Sequence, residues 1–392
     1  MVNPTRVLPL ILSLSFFLIA SASKVTYNVQ NFGAKPDGKT DSTEAFLGAW
    51  AAACASTKSA MINVPVGRYL VGGASFWGQK CKNKSITMRI YGTLVAPSNY
   101  NTLANTGNWL KFERVNGLTI AGGTLDGQGA SLWACKTSGK NCPGGASTLA
   151  FYNSNNVVVS GLTSLNSQLF HIIIDGCQNT KIEKTRISAS ATSPNTDGIH
   201  IQGSSGVSIL GSSIGTGDDC ISIGPGTSNV WVENVSCGPG HGISIGSLGW
   251  ALQEAGVQNV TVKTTTLRGT QNGLRIKTWA RPSNGFVNGV LFQNSIMVNV
   301  RFPIIIDQSY CPNSNSCPGQ ASGVKISGVT YQDIHGTSAF PVAVKIDCSR
   351  QFPCSRIRLQ DVNLTYNNKP ATASCFNAAG TASGYVQPSG CL

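Results

Sequence analysis

Acidic side chains are scarce in this chain. Its 392 residues hold 16 Asp and Glu against 29 Lys and Arg, and only four His. After the first 23 residues no stretch is apolar for long enough to cross a bilayer, which excludes a later membrane span. No Lys/Arg-rich run and no nucleic-acid module occurs, so the positive balance does not point to DNA or RNA. CxxC pairs with a suitable His spacing are missing, which argues against a zinc site. Helical periodicity is nearly absent. So are linkers, low-complexity stretches and composition shifts that would divide the chain into domains.

What is present begins with a leader. Arg6 precedes an apolar run from Val7 to Ala20, and Ser21-Ala22-Ser23 supplies small residues for cleavage. A secretory signal over 1–23 is expected, with a mature chain of 24–392 and no membrane anchor. Thirteen cysteines fit an oxidising compartment. Close spacing suggests Cys135/Cys142, Cys220/Cys237, Cys311/Cys317, Cys348/Cys354 and Cys375/Cys391 as local staples, with Cys54/Cys81 a plausible sixth pair. Cys177 is left over after the apolar Ile172-Ile173-Ile174 and is expected to be a buried free thiol. Asn83, Asn234, Asn259 and Asn363 each begin an N-x-S/T sequon. Without Arg6 the mature chain has 28 basic and 16 acidic residues, net +12. Such an excess favours a polyanionic partner, and an acidic polysaccharide suits an exported protein better than nucleic acid does.

An irregular repeat runs through the chain: a small or polar residue, then apolar-x-apolar, then a polar turn. It occurs at Leu118, Val157, Thr180, Val207, Val230, Val260, Val290, Val324 and Ile357, at intervals of 23 to 39 residues. A second short strand follows in each unit, as in Ile199-His200-Ile201, Ile221-Ser222-Ile223, Ile243-Ser244-Ile245, Leu274-Arg275-Ile276, Ile304-Ile305-Ile306 and Val344-Lys345-Ile346. Equivalent strands recurring at equivalent places favour a solenoid over a sandwich or propeller. The expected fold is all-β, a single right-handed parallel β-helix whose coils stack at about 4.8 Å. Its open ends need covers. Asp41-Ser42-Thr43-Glu44 has capping-box spacing, so Ser42 to Ala55 reads as an N-terminal capping helix. The tail with Cys375 and Cys391 would close the other end.

Four motifs occupy neighbouring units: Asn195-Thr196-Asp197, Gly217-Asp218-Asp219, Gly240-His241-Gly242 and Arg275-Ile276-Lys277. Each is common alone; their phase is not. With the second strands aligned, Asp197, Asp219, His241 and Asn272 fall at one position, two before the first apolar residue. Stacking would make them a ladder. Two ionised carboxylates about 5 Å apart repel by about 3 kcal/mol at an effective dielectric near 20, enough to keep one carboxyl protonated. Arg275 and Lys277 alternate with Leu274 and Ile276 and so would face outward, as a clamp for an anion or as counter-charges to the acids. Strict alternation would turn Asp197 inward, so the backbone must bend at Gly198, at Gly242 and near Cys220. His200 could be an outer contact of the site; His171 and His335 read as ordinary strand or turn residues.

With these motifs in order at these spacings, the chain resembles the polygalacturonases, glycoside hydrolases of the pectinase family. The likeness is closest to the plant enzymes in Asn31 to Ala34, Gly122 to Gly129, Ser193 to Ile201, Gly217 to Gly226, Cys237 to Leu248 and Arg275 to Thr278. The resemblance implies inverting hydrolysis of α-1,4 bonds in polygalacturonan (pectate). It implies Asp218 as the general acid, Asp197 and Asp219 as holders of the attacking water, and His241 as a support of the acid's protonation. Asn195, Arg275, Lys277 and Tyr310 would bind substrate. Which of Asp218 and Asp219 is the acid is not decided by the residues themselves. No metal or other cofactor is implied. A secreted monomer acting in the cell wall is expected, endo-acting on the plant-like segments. The other readings are an exo-acting enzyme, a calcium-dependent pectate lyase and a non-catalytic pectin-binding protein.

Overall fold

The computed structural model describes residues 24–104, 106–312 and 317–392; the expected signal, 1–23, lies outside them. The apolar-x-apolar triplets are strands because alternate side chains enter a common interior. Val157 and Val159, Val207 and Ile209, Ile199 and Ile201, and Ile221 and Ile223 are at most 1% exposed, each pair flanking a residue that points away from the core. Each middle coil has three strands. One coil runs Ile172–Asp175, Gln178–Glu183, Arg186–Ser188 and re-enters at Ile199–Gln202. Corresponding strands pair in parallel from coil to coil, giving an 11-stranded sheet on one face and a 22-stranded assembly on the others. From Val257–Arg268 onward, the second and third strands of a coil merge into one long strand. The winding is right-handed, as strand-crossover-strand connections are.

Turns into the second strand carry Asn in the left-handed region, including Asn156, Asn179, Asn229 and Asn259 with φ of 54 to 57°. Asn tolerates that region. Successive amides bond one another, Asn156 Nδ2 donating to Asn116 Oδ1 at 2.8 Å. The small polar residue before each apolar triplet is thus a turn device as well as a spacer.

Register agrees with the expected phase at every repeat but one. The unit placed at Val324-Lys325-Ile326 is displaced: Val290 pairs with Val329, and Val329 with Ile357. Strands here run 13 to 15 residues, so one strand holds several alternations, and the wrong one fits the repeat.

Helix α1 spans Thr43–Ala55 and buries Ala45, Phe46, Ala49, Trp50 and Ala53 over the first coils. Ser42 stands at its N-cap without making the cap bond. Its Oγ accepts from Lys35 N instead, while Asp41 Oδ1 accepts from Thr43 N at 2.9 Å. A second helix, α2 (Ala130–Thr137), was not signalled by periodicity: it has eight residues and buries only Leu132 and Trp133. At the far end, Cys375–Cys391 ties down a tail whose Ala378–Gln387 strand pairs with Cys354–Tyr366.

All six suggested disulfides are present, and Cys177 is free and buried. Asn83, the first sequon, is also buried. Its amide donates to Ala53 O and Lys58 O, which leaves that nitrogen no room for a glycan. Burial pushes the Cys177 thiol up to about 11, so it is neither accessible nor ionised at neutral pH. Thiol titration of the non-reduced protein should therefore find no reactive thiol under native conditions and one per chain in denaturant. A stoichiometric native reaction would contradict the burial.

Candidate active site

Three of the four motifs sit where the chain enters the 11-stranded sheet, and Arg275-Ile276-Lys277 lies within its strand Asn272–Trp279. In that sheet Ile199, Ile221, Ile243, Leu274 and Ile304 are in register on five consecutive coils. Two residues upstream on successive coils are Asp197, Asp219, His241 and Asn272. Backbone pairing continues there, with Gly198 N donating to Asp219 O and Cys220 N to Gly242 O, both at 2.8 Å, and it is altered at His241, whose N donates to Asp218 O at 2.8 Å. Close approach explains the glycines. A Cβ on Gly217 would lie 2.0 Å from Ser193 O, and Gly242, at φ 93°, would place one 2.1 Å from Asn272 O. These bends bring the acids to the outer wall, resolving the conflict with strict alternation.

Asp218 is the partly exposed member, its side chain 18% exposed. Its Oδ1 accepts from Asp219 N at 2.8 Å and lies 3.0 Å from His241 Nδ1. Its Oδ2 is 3.5 Å from Asn195 Nδ2, on a residue held at φ 54°. Asp197, 7% exposed, lines the same cavity of about 200 Å³ with Asn195, Asp218, His200, Lys277 and Tyr310. Asp219 is fully enclosed. Oδ1 accepts from Arg275 Nη2 at 2.7 Å and from Ser244 Oγ at 2.8 Å, and Oδ2 accepts from Lys277 Nζ at 2.7 Å.

Arg275 and Lys277 are on the outer face of their strand, as alternation required, but they are not open to solvent: both turn onto Asp219 and are 6% and 7% exposed. The Tyr310 ring covers them, its centroid 5.1 Å from Lys277 Nζ and 5.9 Å from the Arg275 guanidinium. Two residues here had little signal in the sequence. Ser222 and Ser244 are the middle members of Ile-Ser-Ile triplets and share the outward column of His200 and Arg275. Ser222 Oγ is 2.8 Å from His200 Nδ1, and Arg275 Nε donates to Ser244 Oγ at 2.9 Å. His171 is apart from the site: it is buried, it bonds Ser164, and burial lowers its pKa to about 3. His335 pairs with exposed Asp333.

Charge is divided unequally among the acids. Burial raises Asp197 well above the carboxylate range, and repulsion from Asp218 and then Asp219 adds to it. Burial would raise Asp219 too, but the Lys277 ammonium and the Arg275 guanidinium outweigh it and hold Asp219 at about 2. The site thus keeps Asp219 ionised and stores a proton on Asp197. Among the described residues, Asp218, Asp219 and His241 also form a three-donor cluster within 4.8 Å. Both Asp219 oxygens already face cations at 2.7 Å, so a metal ion there would meet two positive charges.

The opposite shifts have opposite stability signs. Asp197 holds its proton above its unfolded pKa, so stability falls as pH rises through the window between its unfolded and folded values. Asp219, depressed to about 2, adds stability above the ordinary 3.8 that is lost as pH falls toward 2. Asp197→Asn removes only the first effect. Melting curves from pH 4 to pH 7 should show this variant gaining on the wild type as pH rises, while its activity drops at least ~100-fold. A constant difference across that range would contradict the protonated state of Asp197.

The profile described as glycosyl hydrolases family 28 matches residues 54–384. A polygalacturonase from Prunus persica is 63% identical over 385 residues, covering 97% of this chain and 98% of its own. An exopolygalacturonase from Platanus acerifolia is 42% identical over 372 residues, covering 94% and 98%. Among solved structures, the endo-xylogalacturonan hydrolase of Aspergillus tubingensis superposes with a TM-score of 0.80 at 22% identity, covering 92% of this chain and 100% of that one. The polygalacturonase of Erwinia carotovora gives 0.67 at 25% identity, covering 93% and 97%. The chain belongs to family 28 of the glycosyl hydrolases, as a plant-type member of the polygalacturonases.

Proposed function

We propose that the protein hydrolyses α-1,4 galacturonosidic bonds within polygalacturonan, inverting the anomeric centre, and that it acts on the wall polysaccharide after secretion. The observation that carries this reading is the acid group on adjacent coils. One carboxyl (Asp218) is partly exposed and backed by His241, one (Asp197) carries a stored proton, and one (Asp219) is pinned by two cations. Asp218 protonates the leaving oxygen. Asp197 and Asp219 hold the attacking water, with Asp219 acting from behind its ion pairs. Hydrolysis uses the state with a proton on Asp218 and Asp197 ionised as base, so Asp197 gives up its stored proton on the way to that state. His241 positions Asp218. Lys277, Tyr310 and Asn195 line the cavity that would take the sugar, and Arg275 fixes Asp219 beneath it.

Endo action is supported by the space on both sides of the Asp218–His241 pair. Besides the cavity that Asp218 lines, a second of about 390 Å³ begins at His241, so a chain can continue in both directions. Exo action is the second reading, favoured by the name of the Platanus relative. Sizing early products decides between them: a ladder of oligomers is expected, and monomer alone would establish exo action. The anomer released, followed by proton NMR, tests inversion.

Asp218→Asn should lower kcat by about a thousandfold or more while leaving the melting temperature within a few degrees. Activity above a few per cent would remove Asp218 from the acid's role. Chelator should leave the wild type active, and no unsaturated, ultraviolet-absorbing product should form. Either failure would favour a lyase.

A further inference from the structure

The second cavity meets the four motifs only at Gly240 and His241 and otherwise lies on the turns that lead into the sheet. Three consecutive coils build it through backbone bonds: Gln271 N donates to Gly240 O, Arg301 N to Thr270 O, and Phe302 N to Gln271 O, at 2.8 to 3.1 Å. It encloses about 390 Å³ and is lined by His241, Thr270, Gln271, Asn299 and Arg301 among others, with no Asp or Glu. Its polar groups are unspent. The Arg301 guanidinium lies against the paired rings of Phe302 and Phe340, 5.3 and 5.8 Å from their centroids, and has no carboxylate partner among the described residues. The Thr270 hydroxyl is buried, lines this cavity and has no hydrogen-bond partner among the described residues. Gln271 accepts at its side-chain oxygen from Asn272 Nδ2 at 3.4 Å, and its own side-chain amide hydrogens have no acceptor among the described residues.

The contrast with the other large hollow is chemical. That one, of about 490 Å³, is lined by Glu183 and Glu233, each paired with a lysine, beside Lys184, so its cation stands next to acids. In the motif cavity both cations are already committed to Asp219. Arg301, by contrast, lines a hollow without acids and has no carboxylate partner among the described residues. Arginine in such a setting is suited to a carboxylate, which it can grip with two N–H groups.

We propose that this cavity is a further uronate subsite, in which Arg301 binds the carboxylate of a galacturonate unit across the Asp218–His241 pair from Lys277, with Thr270 and Gln271 bonding the same sugar. The inference rests on polygalacturonan being the substrate. The subsite sets how strongly, and in which register, a chain is held, without taking part in bond cleavage.

The test is steady-state kinetics of wild type, Arg301→Gln and Arg301→Lys on polygalacturonate and on a highly methyl-esterified pectin, with melting temperatures as a check on folding. Loss of one charge-assisted pair predicts that Arg301→Gln raises KM on polygalacturonate roughly tenfold, with kcat within about twofold. The rise should be much smaller on the esterified substrate, and Arg301→Lys should recover part of it. An unchanged KM, or an equal rise on both substrates, would overturn the subsite. A wild type inert on polygalacturonate would instead remove the substrate reading and this proposal with it, so the two failures are distinguishable.

Discussion

Parallel, in-register stacking is the constraint on which everything else rests. Once Ile199, Ile221, Ile243 and Leu274 occupy equivalent places in successive coils, residues 22 to 31 positions apart become neighbours at the strand spacing. The interior enforces this. A slip of one residue would turn each isoleucine outward and each polar partner inward, and no register with mixed faces fills the core. The ladder of Asp197, Asp219 and His241 is thus a by-product of hydrophobic packing on the other side of the same strands.

Packing alone would not tolerate three carboxyls together. The molecule resolves the repulsion by treating each differently. Asp219 is taken wholly out of solvent and satisfied by a guanidinium, an ammonium and a hydroxyl, the kind of full pairing that a buried charge requires. Asp197 has only the Ser222 hydroxyl and the charge of Lys277 against its burial, and keeps a proton. Asp218 stays at the surface with His241 and Asn195. These are three environments for one residue type within two coils, and separated protonation states are what acid–base chemistry at a single site needs.

This division explains how far the sequence could be read. The ladder was legible because it depends only on phase, which Ile-x-Ile triplets mark clearly. The disulfides were legible because nearly all close short loops. The orientation of Arg275 and Lys277 was half legible: alternation put them on the outer face, but nothing in the pattern said that they would fold down onto Asp219. Ser244 escaped notice because a serine between isoleucines is unremarked in any solenoid, although here it completes the coordination of Asp219. Arg301 escaped for a similar reason. It precedes Phe302 in a turn of no motif, and its meaning depends on Thr270 and Gln271 one coil earlier. Long strands blurred phase in one place, Val324, and the fifth residue downstream was the true partner.

Charge counting links binding to chemistry. Asp219 with Arg275 and Lys277 carries a net charge of +1, and a protonated Asp197 adds nothing. A galacturonate carboxylate beside Lys277 consequently meets an attractive centre while Asp197 keeps its proton. It would favour that proton in turn, since linkage between two binding events is reciprocal. The proton stored at the site and the charge that holds the uronate are therefore coupled: a polyanion is drawn in most strongly before Asp197 ionises. A neutral polysaccharide would gain nothing from this arrangement, which gives the scarcity of acids elsewhere in a basic chain a mechanistic sense.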